Sequence, residues 1–124
     1  MIPQDLSYGR THEWYRIEPT GEVLVGVTEH GQELLGDLVY VDLPEPGSRV
    51  RRGESCGVLE SVKAASDVQC PVDGEVVAVN ENLADEPALV NDDAFGAGWL
   101  LRIRPEGEPD NWMSAAEYET HIDE

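Results

Sequence analysis

Short strand-like runs of apolar residues, each closed by glycine or proline, recur along the chain. Thr11 to Ile17 places Trp14 and Tyr15 in the first clear run, Pro19-Thr20-Gly21-Glu22 supplies a turn, and Glu22 to Thr28 reads as a second strand. The pair is expected to form a hairpin. Thr28 stands where an N-cap is needed, and the run Glu29 to Leu35 stops at Gly36. That predicts a short helix with an acid in its first turn. Asp37 to Leu43 is a third strand, closed by the turn Pro44-Glu45-Pro46-Gly47. Two further runs, Gly57 to Val62 and Ala64 to Cys70, flank Lys63, with Gly53 before them and Pro71 and Gly74 after. This arrangement predicts a β-hairpin with Lys63 at its tip.

Beyond the hairpin, Glu75 to Val79 and Trp99 to Arg104 read as strands, and residues 80–91 as a loop with one helical turn. Residues 1–10 look like an irregular lead-in. The chain closes with a helix expected from Trp112 to His121, whose better part opens at Ser114 with Glu117 at the capping-box position. Proline, glycine and valine recur in a weak symmetry about Lys63. Many short strands with that symmetry predict a mostly β fold, a flattened barrel or sandwich with the Lys63 tip at one end.

A length of 124 residues with 40% apolar content suits one domain with one moderate core. Net charge is −18. Such a chain cannot assemble the basic face that nucleic acid or an anionic membrane requires, so neither is expected as a partner. Acidity of this degree favours solubility and partners with basic docking surfaces. No apolar run reaches membrane-spanning length, and the first residues lack the basic-then-apolar pattern of a secretory signal, so a cytoplasmic protein is expected.

Candidate chemistry is sparse apart from one residue. Lys63 is the only lysine, and seven arginines supply the remaining basic charge. The serines lack a nucleophile elbow, and no glycine-rich phosphate loop is present. Arg49, Arg51 and Arg52 read as a solvated turn, His30 as a surface helix residue and Trp14 as core. Cys56 and Cys70 each lie seven residues from Lys63. A three-residue tip would set them opposite one another; a two-residue tip without a bulge would turn them to opposite faces. Reduced thiols are expected, and with three dispersed histidines they match no metal-ligand spacing. Acylating Lys63 would remove its charge and create a swinging arm on a stiff hairpin, flanked by the small or plain residues Val62, Ala64 and Ala65. That would make a carrier rather than an enzyme, against the plain alternative of a solvated charge at an exposed turn.

Glu60-Ser61-Val62-Lys63-Ala64-Ala65-Ser66-Asp67-Val68 resembles the lipoylation motif of the glycine cleavage system H-protein family. Residues 11–14 (THEW), 26–47, 71–83, 88–91 (ALVN) and 96–103 (GAGWLLRI) resemble that family too, in its order and spacing. Biotin carriers have Met-Lys-Met at the tip, and lipoyl domains of 2-oxo acid dehydrogenases typically have Asp-Lys-Ala, against Val62-Lys63-Ala64 here. The resemblance implies one H-protein-like domain over residues 1–124. Its fold would be the barrel-sandwich hybrid of lipoyl and biotinyl carriers, with a short helix after the second strand and a C-terminal helix.

It also implies a non-catalytic shuttle carrying covalent lipoate on Lys63. The partners would be a pyridoxal-phosphate glycine decarboxylase, a tetrahydrofolate-dependent aminomethyltransferase, dihydrolipoamide dehydrogenase and a lipoate-attaching enzyme. The alternatives are an H-like lipoyl donor for 2-oxo acid dehydrogenases, or an unmodified interaction domain. Glu13, Asp67 and Thr11 match positions lining the family's arm cleft, with plain surface acids as the competing view of Glu13 and Asp67. Two departures stand out. The family's usual histidine near Leu34 is missing, and Ala94 replaces a common proline.

Overall fold

The computed structural model describes residues 3–107 and 112–123. In chain order the elements are β1 (Ser7–Tyr8), β2 (Glu13–Ile17), β3 (Val23–Val27), α1 (Glu29–Leu35), β4 (Leu38–Asp42), β5 (Arg49–Val50) and β6 (Ser55–Ser61). There follow β7 (Ala65–Gln69), β8 (Gly74–Val79), α2 (Asn82–Asp85), α3 (Leu89–Asp92), β9 (Leu101–Pro105) and α4 (Ala115–Asp123). Strands β1-β2-β3-β9-β8-β5 form one antiparallel sheet and β4-β6-β7 a second. The two sheets make an open sandwich rather than a closed barrel. Among the described residues no helix is long and apolar enough to cross a membrane.

Alternation along β2 and β3 explains two cores. Tyr15, Val23, Val25 and Val27 point to one face and pack with Leu38, Val41, Leu59 and Val68 of the smaller sheet. Trp14 and Leu24 point to the other face, where Leu6, Tyr8, Met113, Ala115 and Tyr118 close a second cluster. The helix α4 therefore covers the outer face of the larger sheet. Tyr8 and Tyr118 stack there at 4.7 Å, and the Trp14 indole N–H donates to Ala94 O at 2.8 Å. Trp14 is core, as its bulk suggested.

Several local expectations change. The lead-in is irregular except at Ser7–Tyr8, which form β1: Tyr8 is fully buried, pairs with Trp14 across β1 and β2, and bridges Met113. The C-terminal helix starts at Ala115, later than Trp112, because Met113 is drawn into that bridge and Trp112 packs against Tyr15. The capping box is present, with Glu117 N donating to Ser114 Oγ and Ser114 N donating to Glu117 Oε1. The stretch 80–91 holds two short helices rather than one turn. With β1 added, α1 follows the third strand of the chain. Arg49 pairs with Glu106, so part of the basic cluster is an ion pair on the exposed surface.

Candidate functional site

Lys63 sits at the end of the β6–β7 hairpin. Ser61 N donates to Ala64 O at 2.8 Å, leaving Val62 and Lys63 as a two-residue tip. The Ser61 hydroxyl accepts from Ala64 N at 3.0 Å and from Lys63 N at 3.3 Å, so one side chain ties down the turn. Val62 is 84% exposed and Lys63 is exposed beside it.

The lysine stem lies across the C-terminus of α1. Gly36 ends that helix at φ +86°, a left-handed conformation that glycine adopts without strain. A Cβ at this position would stand 3.4 Å from Lys63 Cε. Asn91 of α3 fixes the corner: its Nδ2 donates to Gly36 O at 3.0 Å and to Gln32 Oε1 at 2.7 Å, and its Oδ1 accepts from Leu38 N at 2.9 Å. The short ALVN motif thus has a structural role, which the sequence alone did not disclose.

Beside the tip runs a groove of about 110 Å³. Val27, Leu34, Leu35, Leu59 and Val68 give it apolar walls, and Thr11, Glu13 and Asp67 bring polar groups to the same groove. All three residues expected at the arm cleft therefore meet in one place. They differ in kind. Glu13 is only 2% exposed, whereas Asp67 is exposed and accepts from Ser55 Oγ at 3.1 Å.

Glu13 is not a plain surface acid. Thr11 Oγ1 lies 2.7 and 2.5 Å from its two oxygens, Tyr15 donates at 3.3 Å and Gln69 N at 3.1 Å. Burial pushes its pKa up and outweighs these hydrogen bonds, of which Thr11's is the strongest opposing influence. Tyr15, itself buried beside this carboxylate, is held in its protonated, donating form. Three donor hydrogens serve a carboxylate with about four acceptor positions.

His12 was not singled out by the sequence, yet it lines the same groove. It takes φ +74°, rare for a residue with a side chain, between the two residues that face the polar end. Its Nδ1 is 2.9 Å from the Tyr118 hydroxyl, which is 2.7 Å from Thr28 Oγ1, which caps α1 by accepting from Gly31 N at 3.0 Å. This chain of contacts ties α4, the groove and the helix under Lys63 together. Burial lowers the His12 pKa, with His30 and His121 adding to the effect. His30 has its ring 4.8 Å from that of His12, so it is a packed residue more than a free surface one. Leu34 adds to the apolar wall.

The model of the family described as glycine cleavage H-protein matches residues 6–124. The glycine cleavage system H protein of Shewanella frigidimarina is 57% identical over 125 aligned positions, covering 99% of this chain and 97% of the relative. That of Aeromonas hydrophila is 55% identical with the same coverage. The crystal structure of a glycine cleavage system H protein from Mycobacterium marinum superposes with a TM-score of 0.92 at 43% identity, over 99% of this chain and all of that one. With full-length matches in both sequence and fold, this chain belongs to the glycine cleavage H-protein family.

Proposed function

We propose that this chain is the lipoyl-bearing shuttle of a glycine cleavage system, with lipoate joined by an amide bond to Lys63 Nζ. One observation carries this: the chain's single lysine stands exposed on a tied-down tip over Gly36, and the preceding Leu34 and Leu35 line a groove that is apolar along its walls and acidic at one end. The site fits the group. Gly36 leaves open the space that a side chain would take from the lysine stem. Once attached, the group supplies a disulfide ring that can be opened to accept an aminomethyl unit and closed again by oxidation.

The residues around the tip have separable tasks. Acylation of Lys63 removes its charge, so the stem can lie on Gly36 and the apolar wall. Val27, Leu34, Leu35, Leu59 and Val68 keep water away from what lies in the groove. Glu13 offers a carboxylate in the groove to a cationic amine, and Asp67 adds a second carboxylate at the rim. Thr11, Tyr15 and Gln69 hold the Glu13 carboxylate in place. The chain itself supplies no nucleophile or general base. It presents its cargo in turn to glycine decarboxylase, to a tetrahydrofolate-dependent aminomethyltransferase and to dihydrolipoamide dehydrogenase, after a lipoate-attaching enzyme has modified Lys63.

Reconstitution tests this. Lipoylated wild type, mixed with those three enzymes, glycine, tetrahydrofolate and NAD, should support glycine-dependent NADH formation. Lys63→Arg should support none while keeping the wild-type circular dichroism spectrum. Full activity in Lys63→Arg would overturn the proposal. Transfer of lipoyl groups to a 2-oxo acid dehydrogenase domain without glycine-dependent NADH would show a lipoyl donor instead.

A further inference from the structure

The three histidines are far apart in the chain, yet the fold gathers all of them into one cluster. The His12 ring is their common neighbour, 4.8 Å from that of His30 on α1 and 5.8 Å from that of His121 on α4, centroid to centroid. Tyr118 of α4 meets His12 edge-on at 5.8 Å. Among the described residues no set of His, Cys, Asp and Glu is arranged to hold a metal ion. What the cluster does bring together is three groups that acquire the same charge as pH falls.

His12 is held in place against its backbone preference. A residue with a side chain at φ +74° persists only where its surroundings impose that conformation. Here His12 N donates to Gly9 O at 3.1 Å, and Thr28 N donates to His12 O at 3.0 Å. Gly31 of α1 packs so closely that a Cβ there would stand 2.9 Å from His12 Cβ. His121 Nε2 donates to Arg10 O at 2.8 Å and fastens α4 to the same turn. Residues 9–13 are thus clamped between α1 and α4, and they carry Thr11 and Glu13, which line the groove.

The hydrogen bonds at His12 favour an uncharged ring. Thr28 Oγ1 accepts from Gly31 N and lies 2.7 Å from the Tyr118 hydroxyl, itself 2.9 Å from His12 Nδ1. With Nδ1 bare, Thr28 donates to Tyr118 and Tyr118 donates to Nδ1, so each hydroxyl hydrogen has an acceptor. With Nδ1 protonated, both bonds reverse, and the hydrogen of the fully buried Thr28 loses this acceptor. Burial lowers the His12 pKa, and the two neighbouring imidazoles lower it further. The nearby acids are engaged elsewhere. Glu13 and Asp67 share the groove, but Glu13 is held by Thr11, Tyr15 and Gln69, and Asp67 by Ser55. Glu117, one turn before His121, accepts from Ser114 N; Glu33 lies one turn after His30, and Arg10 adds a fixed positive charge on the clamped turn.

We propose that His12, His30 and His121 form an acid-operated latch: uncharged, they clamp residues 9–13 between α1 and α4, and when more than one is protonated their repulsion releases the turn and opens the polar end of the groove. The latch is a property of the bare chain. Its consequence, faster loss of an amine cargo on acidification, rests on the shuttle reading above.

The test uses the folded, full-length chain without lipoate, between about pH 8 and about pH 5. Hydrogen-exchange protection, corrected for the intrinsic pH dependence of exchange, should fall about tenfold or more at residues 9–13 and in α4, and by less than about twofold in β6 and β7. In the double variant His30→Gln/His121→Gln those segments should keep their protection, and the His12 imidazole, followed by NMR, should take its proton at higher pH than in wild type. Unchanged protection of residues 9–13 and α4 in wild type, or an equal fall in the double variant, would overturn the latch. Should the double variant not fold, wild type decides alone: α4 loosening no more than the hairpin strands would overturn it. Loaded, lipoylated protein gives the second readout, in which ammonia release should accelerate on acidification more in wild type than in the double variant. Equal acceleration would refute the link to the cargo while leaving the exchange result standing.

Discussion

Replacing Glu13 by glutamine removes a charge from the groove while leaving its shape. The structure allows the exchange. If the new amide nitrogen takes the place of Oε1, the Thr11 and Tyr15 hydroxyls can rotate to accept from it, and Gln69 N still donates to the remaining oxygen. Stability at neutral pH should therefore change by no more than about 1 kcal/mol. Glu13→Ala, by contrast, leaves Gln69 N–H and two hydroxyls without their acceptor, at a cost of about 1–3 kcal/mol for a buried group.

Function should respond in the opposite order of subtlety. A charge-assisted hydrogen bond to a cationic amine contributes about 1.5–3 kcal/mol, which corresponds to about 10- to 150-fold in the lifetime of the protected arm. The assay loads lipoylated protein through glycine decarboxylase, isolates it and follows ammonia release. Glu13→Gln should lose ammonia about 10- to 150-fold faster than wild type with its melting temperature nearly unchanged. The pH dependence carries a separate sign. Burial raises the Glu13 pKa, so the folded state holds this proton more tightly than the unfolded chain. Its contribution to stability is lost as pH rises from the ordinary carboxylate range through the raised native value. Glutamine should abolish that slope. Unchanged ammonia release, or a stability loss as large as that of Glu13→Ala, would refute the role assigned to this carboxylate.

Two further substitutions probe the support of the site. Gly36→Val puts a β-branched residue at φ +86° beneath the Lys63 stem; unfolding should show a loss of at least about 1–2 kcal/mol, and lipoate attachment to Lys63 should slow in a ligase time course. His12→Asn keeps a residue that tolerates φ +74° but removes the imidazole and its Tyr118 contact, which should cost about 1 kcal/mol near neutral pH. Because the native His12 pKa is lowered, wild-type stability should fall as pH drops below about 6.5 toward that lowered value, and denaturant titrations of His12→Asn should lack this loss.

Legibility followed how local each signal was. The helix α1 was readable to the residue because Thr28 and Gly36 mark its ends with opposite backbone requirements. The Lys63 hairpin was readable from its bracketing turns. By contrast, β1 is two residues long and exists through pairing with Tyr15, Trp14 and Met113, so nothing within residues 1–10 announced it. The bulge at Cys56 and Gly57 has no sequence mark either, and it decides which way a thiol points. At the site, Thr11, Glu13 and Asp67 came from the family resemblance. The depth at which Glu13 lies came only from folding, since residues 13–15 are all buried and alternation there carries no information. His12 depends on Tyr118, 106 positions away, a contact that no local pattern encodes.

The most direct test is the mass of this chain purified from the cell that makes it, followed by peptide mapping. A mass increase equal to one lipoyl group, located on Lys63 and on no other residue, is the predicted result. An unmodified Lys63 in a cell actively cleaving glycine would contradict the assignment of this tip as the carrier site.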